Sequence, residues 1–143
     1  MSLSRKILPI VMLLMVGCGS PSQLATFIDT DPEAWCTPAE LRFEVDDTLN
    51  IYNMELLTRY TNSISVDSLQ LLISITAPDG VMWSEPFTLY TPNKNNSMEI
   101  SQGSYRENIR WSQLGEYRLS LTPQRVYRGV SSVGVEVIKK GEI

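Results

Sequence analysis

The sequence predicts an all-β domain, an antiparallel sandwich of seven or eight strands in an immunoglobulin-like or jelly-roll Greek-key arrangement. Apolar residues alternate with polar ones in short runs, turn formers break the runs at spacings of roughly ten residues, and helical period is nearly absent. Leu41, Phe43 and Val45 alternate with Glu40, Arg42 and Glu44, a half-buried strand that Asp46-Asp47 closes. Tyr52, Met54, Leu56 and Tyr60 recur at even spacing and predict a second, more irregular strand. Leu69, Leu71, Ile73, Ile75 and Ala77 make the cleanest alternation, with Leu72 on the opposite side, so this strand is placed centrally.

Pro78-Asp79-Gly80 is a turn, with Pro fixing φ at the second position and Gly supplying a positive φ. Val81, Trp83, Phe87 and Leu89 return as the partner of a hairpin, and Pro86 predicts an edge or a bulge there. Thr91 to Gly103 is polar and rich in turn formers, which predicts a long surface loop. Tyr105, Ile109 and Trp111 open a further strand, Tyr117, Leu119 and Leu121 the next, and Val133, Val135 and Val137 the last, with Gly134 opposite. In Leu114-Gly115-Glu116-Tyr117 the tyrosine resembles the tyrosine corner of Greek-key sandwiches, whose phenol bonds back to nearby backbone.

The N-terminus sets the compartment. Arg5 and Lys6 form a positive region ahead of the apolar stretch Ile7 to Val16, which reads as a signal peptide over residues 1–17. Ten residues at about 1.5 Å each cannot cross a hydrocarbon core of roughly 30 Å, so no transmembrane helix is expected. Met15-Val16-Gly17-Cys18 looks like the lipobox of bacterial lipoproteins, which makes Cys18 the acylated N-terminus of the mature chain. Residues 18–26 are then lipidated N-terminus and tether, and 27–143 the sandwich. Cys36 is left without an intramolecular partner, and its neighbour Trp35 suggests a semi-buried structural thiol.

Composition excludes several classes. Lys and Arg number 12 against 16 Asp and Glu; removing Arg5 and Lys6 leaves 10 against 16, a net charge of -6. Phosphate-backbone affinity needs clustered cations, so nucleic acid is not a partner. No histidine occurs, which removes serine triads, the base that Cys36 would need, and the usual zinc sites. Asp46-Asp47 as strand neighbours would point to opposite faces and end the strand rather than act together. Asp29, Asp31 and Glu33 lack the glycine and distal glutamate of a calcium loop. No glycine run cradles phosphate. Arg106, Arg110, Arg118, Arg125 and Arg128 tilt the C-terminal half basic, which reads as a solvated face. Catalytic, cofactor and metal residues are therefore expected to be none.

The order of several short motifs resembles the gliding-motility lipoproteins of the GldH type found in Bacteroidetes. These are the lipobox followed by an Asp-containing segment and Trp35, Phe43 before Asp46-Asp47-Thr48, and Tyr52 leading to Arg59-Tyr60. They continue with Leu69-Gln70-Leu71, Ala77-Pro78-Asp79-Gly80, Leu114-Gly115-Glu116-Tyr117, and Arg128-Gly129-Val130-Ser131-Ser132-Val133-Gly134-Val135. The chain departs from that pattern at Ser65-Val66, where an aromatic is expected, and from Asn95 to Met98, where glycines are. The resemblance implies a non-enzymatic envelope lipoprotein of the gliding machinery and its associated protein secretion, working by protein contact. An outer-membrane anchor is expected, and the lack of an acidic run after Cys18 favours one that faces the periplasm over surface display. The alternative is a lipid-anchored glycan-binding module that stacks sugars on Trp83, Trp111 or the tyrosines, and coplanar exposed rings on one face would be its mark.

Overall fold

The structure, a computed structural model, describes residues 23–91 and 100–142, in which every named element is a β-strand. The strands are β1 (Gln23–Asp29), β2 (Ala39–Val45), β3 (Asn50–Tyr60), β4 (Ser68–Thr76), β5 (Met82–Tyr90), β6 (Ile100–Ile109), β7 (Gly115–Pro123) and β8 (Val130–Glu142). Two antiparallel four-stranded sheets have the orders β1-β8-β3-β6 and β2-β7-β4-β5. Strands 1 and 8, 2 and 7, 3 and 6, and 4 and 5 are neighbours, which is one long hairpin folded over itself with its tip at Pro78-Asp79-Gly80. That pairing is the jelly roll, and it settles the choice left open between the two sandwich types. Among the described residues no helix is long and apolar enough to cross a membrane.

Alternation decides which side chains meet between the sheets. Leu41, Phe43 and Val45 of β2, Leu69 to Ile75 of β4 at odd positions, Tyr117 to Leu121 of β7 and Val133 to Val137 of β8 form one buried cluster with Met54 and Leu56 of β3. Strand β4 lies between β7 and β5 as its apolar content requires, and β5 is an edge. Ala77 N–H donates to the Val81 carbonyl at 2.8 Å, so odd residues of β5 face β4 and even ones face outward. Pro86 therefore lacks its N–H where the ladder needs none. At the hairpin tip Gly80 has a φ of 88° and donates to the Ala77 carbonyl at 2.9 Å.

The Tyr117 phenol donates to the Gln113 carbonyl at 3.1 Å, as a tyrosine corner requires, while its ring stacks on Phe43 at 5.5 Å and meets Trp111 at 4.6 Å. Tyr117→Phe keeps the packing and orphans that carbonyl. A loss of about 1 kcal/mol is expected in urea unfolding, with an unchanged denaturant slope.

The open side of the sandwich is closed by a bridge between its two edge strands. Glu85 of β5 accepts from the Tyr105 phenol and from the Arg106 guanidinium, both on β6. These hydrogen bonds hold the Glu85 carboxyl below the usual range, while burial and the Glu85 carboxylate push Tyr105 up to about 12.

Three sequence expectations need correction. Strand β1 begins at Gln23, so residues 23–26 pair with β8 instead of belonging to the tether, with Thr26 opposite Val135. Residues 100–103 belong to β6 rather than to the surface loop, because Ile100 pairs with Arg59. Cys36 is exposed, not semi-buried. Trp35 turns inward on an isolated bridge to Tyr127, and alternation sends the next side chain out. The Cys36 thiol should accordingly react with Ellman's reagent without denaturant, and protection of that thiol until unfolding would refute the exposure.

Candidate functional site

The two outer faces of the sandwich differ in kind. On the β2-β7-β4-β5 sheet, Arg42 and Arg118 share one carboxylate, Glu116, at 3.4 and 3.9 Å, beside the exposed Glu40 and Glu44. Ser74 and Ser84 bond at 2.8 Å, and Thr88 donates to Gln70 at 2.9 Å. This is an ordinary wetted face.

The outer face of β3 and β8 is drier. Leu56-Leu57 on β3 and Val137-Ile138 on β8 set apolar residues on both sides of their strands, a pattern of sheets covered on both faces. Leu57 is only 6% exposed yet stands outside the core cluster. It lies in register with Gly134, which in turn pairs with Phe27. The Phe27 ring occupies the space that a side chain at Gly134 would fill, its Cδ1 being 2.8 Å from that Cβ position. The Arg59 guanidinium sits 4.4 Å over the same ring.

Polar groups on this face are buried without partners. Ser132 is 2% exposed and its Oγ has no hydrogen bond, and the same holds for the buried Oε2 of Glu55. Glu136, 8% exposed, is directly opposite Glu55 across the β3–β8 pair. Among the described residues neither carboxylate has a hydrogen-bond or ion-pair partner. Burial first, then the charges of Glu136 and Glu107, push the Glu55 carboxyl above its usual value.

An acid whose pKa is raised by folding binds protons more readily in the native state. Its penalty is therefore absent below the ordinary value of 4.5 and grows as pH rises through the raised one. Glu85, with a lowered pKa, has the opposite sign: its contribution is present at neutral pH and is lost as pH falls through the lowered value. Like charges directly opposite on a sheet cost about 0.2–1 kcal/mol. Glu136→Gln should stabilise the isolated protein by that amount at pH 7 and by nothing near pH 3.5. Equal stability of the two proteins at pH 7 would show that the pair carries no strain.

The sequence-predicted positions fall elsewhere. Cys18, the predicted lipidation site, lies outside the described residues. Asp46 and Asp47 end β2 as expected, but the strand argument for separating them does not apply: Lys139 Nζ reaches both, at 3.3 and 3.8 Å. Asp47 also accepts from the Leu49 N–H at 2.7 Å, and the Tyr52 phenol donates to its carbonyl at 3.1 Å, so the cluster braces a turn. Asp31 accepts from the Glu33 N–H at 3.0 Å, and Glu33 pairs with Arg128 at 3.6 Å. No group of three acids, cysteines or histidines is placed to hold a metal among the described residues.

The basic tilt does not form one patch, since Arg106, Arg118 and Arg128 each meet a different carboxylate. Trp111 and Tyr52, Tyr60, Tyr105, Tyr117 and Tyr127 are buried. Of the remaining rings, Trp83 and Tyr90 stand on opposite faces of β5, an odd and an even position, so they make no shared stacking platform. An open hollow of about 390 Å³ at the sheet end is lined by Thr76, Ala77, Pro78, Gly80, Glu116 and Arg118. Its two charges neutralise one another and offer no acid–base set.

No protein-family model matches this chain, and no curated protein matches it. Among solved structures it is similar to dimeric latent PorU from Porphyromonas gingivalis, with 13% identity and a TM-score of 0.40. The likeness covers 84% of this chain and 13% of that one. Nothing about function follows from a likeness so distant.

Proposed function

We propose that this chain is a non-enzymatic cell-envelope lipoprotein, held by lipid on Cys18, that makes protein contacts through the outer face of β3 and β8. Its setting is the gliding-motility and associated secretion machinery of the family it resembles. The observation that supports contact at this face is Leu57, buried outside the core beside the unpartnered Ser132 Oγ and Glu55 Oε2. Burying such groups without partners costs free energy. The carboxylates brought together, Glu55 and Glu136, stand directly opposite one another across the β3–β8 pair.

The anchor reading rests on the lipobox and the segment before it. Several acyl chains on Cys18 hold far more firmly than the marginal grip of a single myristoyl chain. The anchor is placed in the outer membrane facing the periplasm, and the glycan alternative loses support because Trp111 and five of the six tyrosines are buried while the exposed Trp83 and Tyr90 stand on opposite faces of β5.

The test has two arms. Cells fed a palmitate analogue should label the wild type and not Cys18→Ala, and the variant should leave the membrane fraction. Cross-linking in detergent-solubilised envelope should capture motility or secretion proteins with the wild type and lose them with Leu57→Asp. Label retained on Cys18→Ala sinks the anchor, and capture indifferent to Leu57→Asp sinks the contact face.

A further inference from the structure

We propose that the end of the sandwich where β1 begins rests on the lipid bilayer that holds Cys18, with Leu49, Val81, Met82 and Leu114 entering the boundary between headgroups and acyl chains. The inference rests on the anchor reading above and adds the orientation of the domain on its membrane.

The strand registers bring three connections to one end of the molecule. Gln23, the first residue of β1, pairs with Ile138, which also pairs with Asn53 near the start of β3. Tyr52 beside it pairs with Ile109 at the end of β6. In the other sheet the same end holds the last residue of β2, with Val45 opposite Gly115, and the turn of the β4–β5 hairpin, with Thr76 opposite Met82. Lys139 of β8 reaches Asp46, just after β2, at 3.3 Å, so the two sheets end together here. The connections at this end are residues 46–49, 77–81 and 110–114. The Asp79 N–H donates to the Gln113 side chain at 3.2 Å, which holds the hairpin turn against the β6–β7 connection.

Each of the three carries a large apolar side chain in water. Leu49, Val81 and Leu114 are between 59% and 67% exposed, and Met82, which opens β5, is 62% exposed. A single exposed leucine is ordinary on any surface. Turn chemistry favours small and polar residues at such tips, however, and all three connections depart from it at the end that the tether reaches. Cys18 precedes Gln23 by five residues, which span at most about 3.6 Å each. Lipid on Cys18 thus holds this end within about 18 Å of the bilayer.

Apolar side chains beside a bilayer gain by leaving water for the acyl boundary. The contact is shallow and does not depend on charge. Asp46 and Asp47 are engaged by Lys139, and the Asp79 carboxylate accepts from the Val81 N–H at 3.0 Å, so these acids stay among the headgroups. The mature chain's net charge of -6, from 10 cations against 16 acids, supplies no attraction to anionic lipid.

The experiment uses the mature lipoprotein with Cys36→Ser, reconstituted at low density in vesicles of phosphatidylethanolamine and phosphatidylcholine. A nitroxide is attached at Leu49→Cys, Met82→Cys or Leu114→Cys, and as the control at Val126→Cys. Val126 is 61% exposed and lies in the connection before β8, at the opposite end. Electron paramagnetic resonance compares collisions with oxygen, which concentrates in the bilayer, and with a water-soluble nickel chelate. The expected oxygen-to-nickel ratio is severalfold higher at the three tips than at the control and unchanged in high salt. Leu49→Ser/Leu114→Ser should return the label at Met82→Cys to the control ratio without altering the melting temperature.

A water-like ratio at all three tips, with the intact mass showing lipid on Cys18, overturns the proposal and leaves the anchor standing. Spin–spin broadening at the tips puts a second copy of the chain there and also overturns it. So does a label that is water-like in pure lipid and becomes immobile only when solubilised envelope proteins are added. An intact mass without lipid on Cys18 sinks the anchor reading and this orientation with it.

Discussion

Trp35→Ala is expected to cost about 3–5 kcal/mol, the range for emptying a buried tryptophan site. Trp35 is 1% exposed and its indole N–H donates to the Thr37 carbonyl at 2.9 Å. Its backbone exchanges two hydrogen bonds with Tyr127, at 2.8 and 3.0 Å, and the two rings lie 6.5 Å apart. The Tyr127 phenol in turn accepts from the Gln70 N–H at 2.6 Å. Through these contacts the segment between β1 and β2 is tied to the segment before β8 and to the start of β4. Alanine opens a cavity at that junction and removes the brace on Tyr127 together with the transfer free energy. Domains of this size hold about 5–15 kcal/mol in total, so a fall in melting temperature of roughly 10–25 °C is expected. Circular dichroism against temperature checks it, and Trp35→Phe, which refills most of the volume, should recover part of the loss. A shift of only a few degrees for the alanine variant would mean that Trp35 does not hold this junction.

Much of the sandwich could be read from residues because burial writes itself locally into strands. Leu69 to Ile75 alternate and are buried, Pro86 sits on the outward side of an edge, and Tyr117 makes the hydrogen bond that its place after Gly115 implied. What pairs with what is a different matter. The choice between sandwich types depends on β1 joining β8 and β3 joining both β8 and β6, contacts between residues up to 115 positions apart, as Gln23 is from Ile138, that no local pattern encodes. Strand β1 was hidden for a related reason: Gln23 to Asp29 contains Thr26 and Ala25 where a strong apolar alternation would have announced it.

The proposed contact face was legible only in part. Leu56-Leu57 and Val137-Ile138 signal strands apolar on both sides, so covered outer positions could have been suspected there. The opposition of Glu55 and Glu136 requires the β3–β8 register, which passes through shifts near Tyr52 and Tyr60. Two glutamates 81 positions apart carry no sign in the sequence that they will face each other. Cys18 is the reverse case, a lipidation site expected only from the segment before it in the sequence and lying outside the described residues.

Gly129→Ala should be as damaging as the loss of Trp35, for a reason that lies in the backbone. Gly129 has a φ of 95°, a conformation that costs a residue with a side chain about 1–3 kcal/mol. Its N–H donates to the Pro32 carbonyl at 2.8 Å and its own carbonyl accepts from the Thr61 N–H at 2.8 Å, which clamps it between the β1–β2 and β3–β4 connections. A Cβ there would stand 2.7 Å from Ile64 Cα and 2.9 Å from the Ser63 carbonyl carbon. Both are main-chain atoms, so no rotamer change relieves the contact, and one of the two clamping hydrogen bonds must open. A loss of about 3 kcal/mol or more is expected from strain and clash together. Gly80→Ala separates the two causes, because Gly80 also has a positive φ, 88°, but nothing lies within 4 Å of its Cβ position. That variant should lose only the conformational part, about 1 kcal/mol. If urea unfolding gave equal losses for the two alanines, the close approach of the Ser63-Ile64 backbone to Gly129 would be wrong, and with it the packing of the β3–β4 connection against the start of β8.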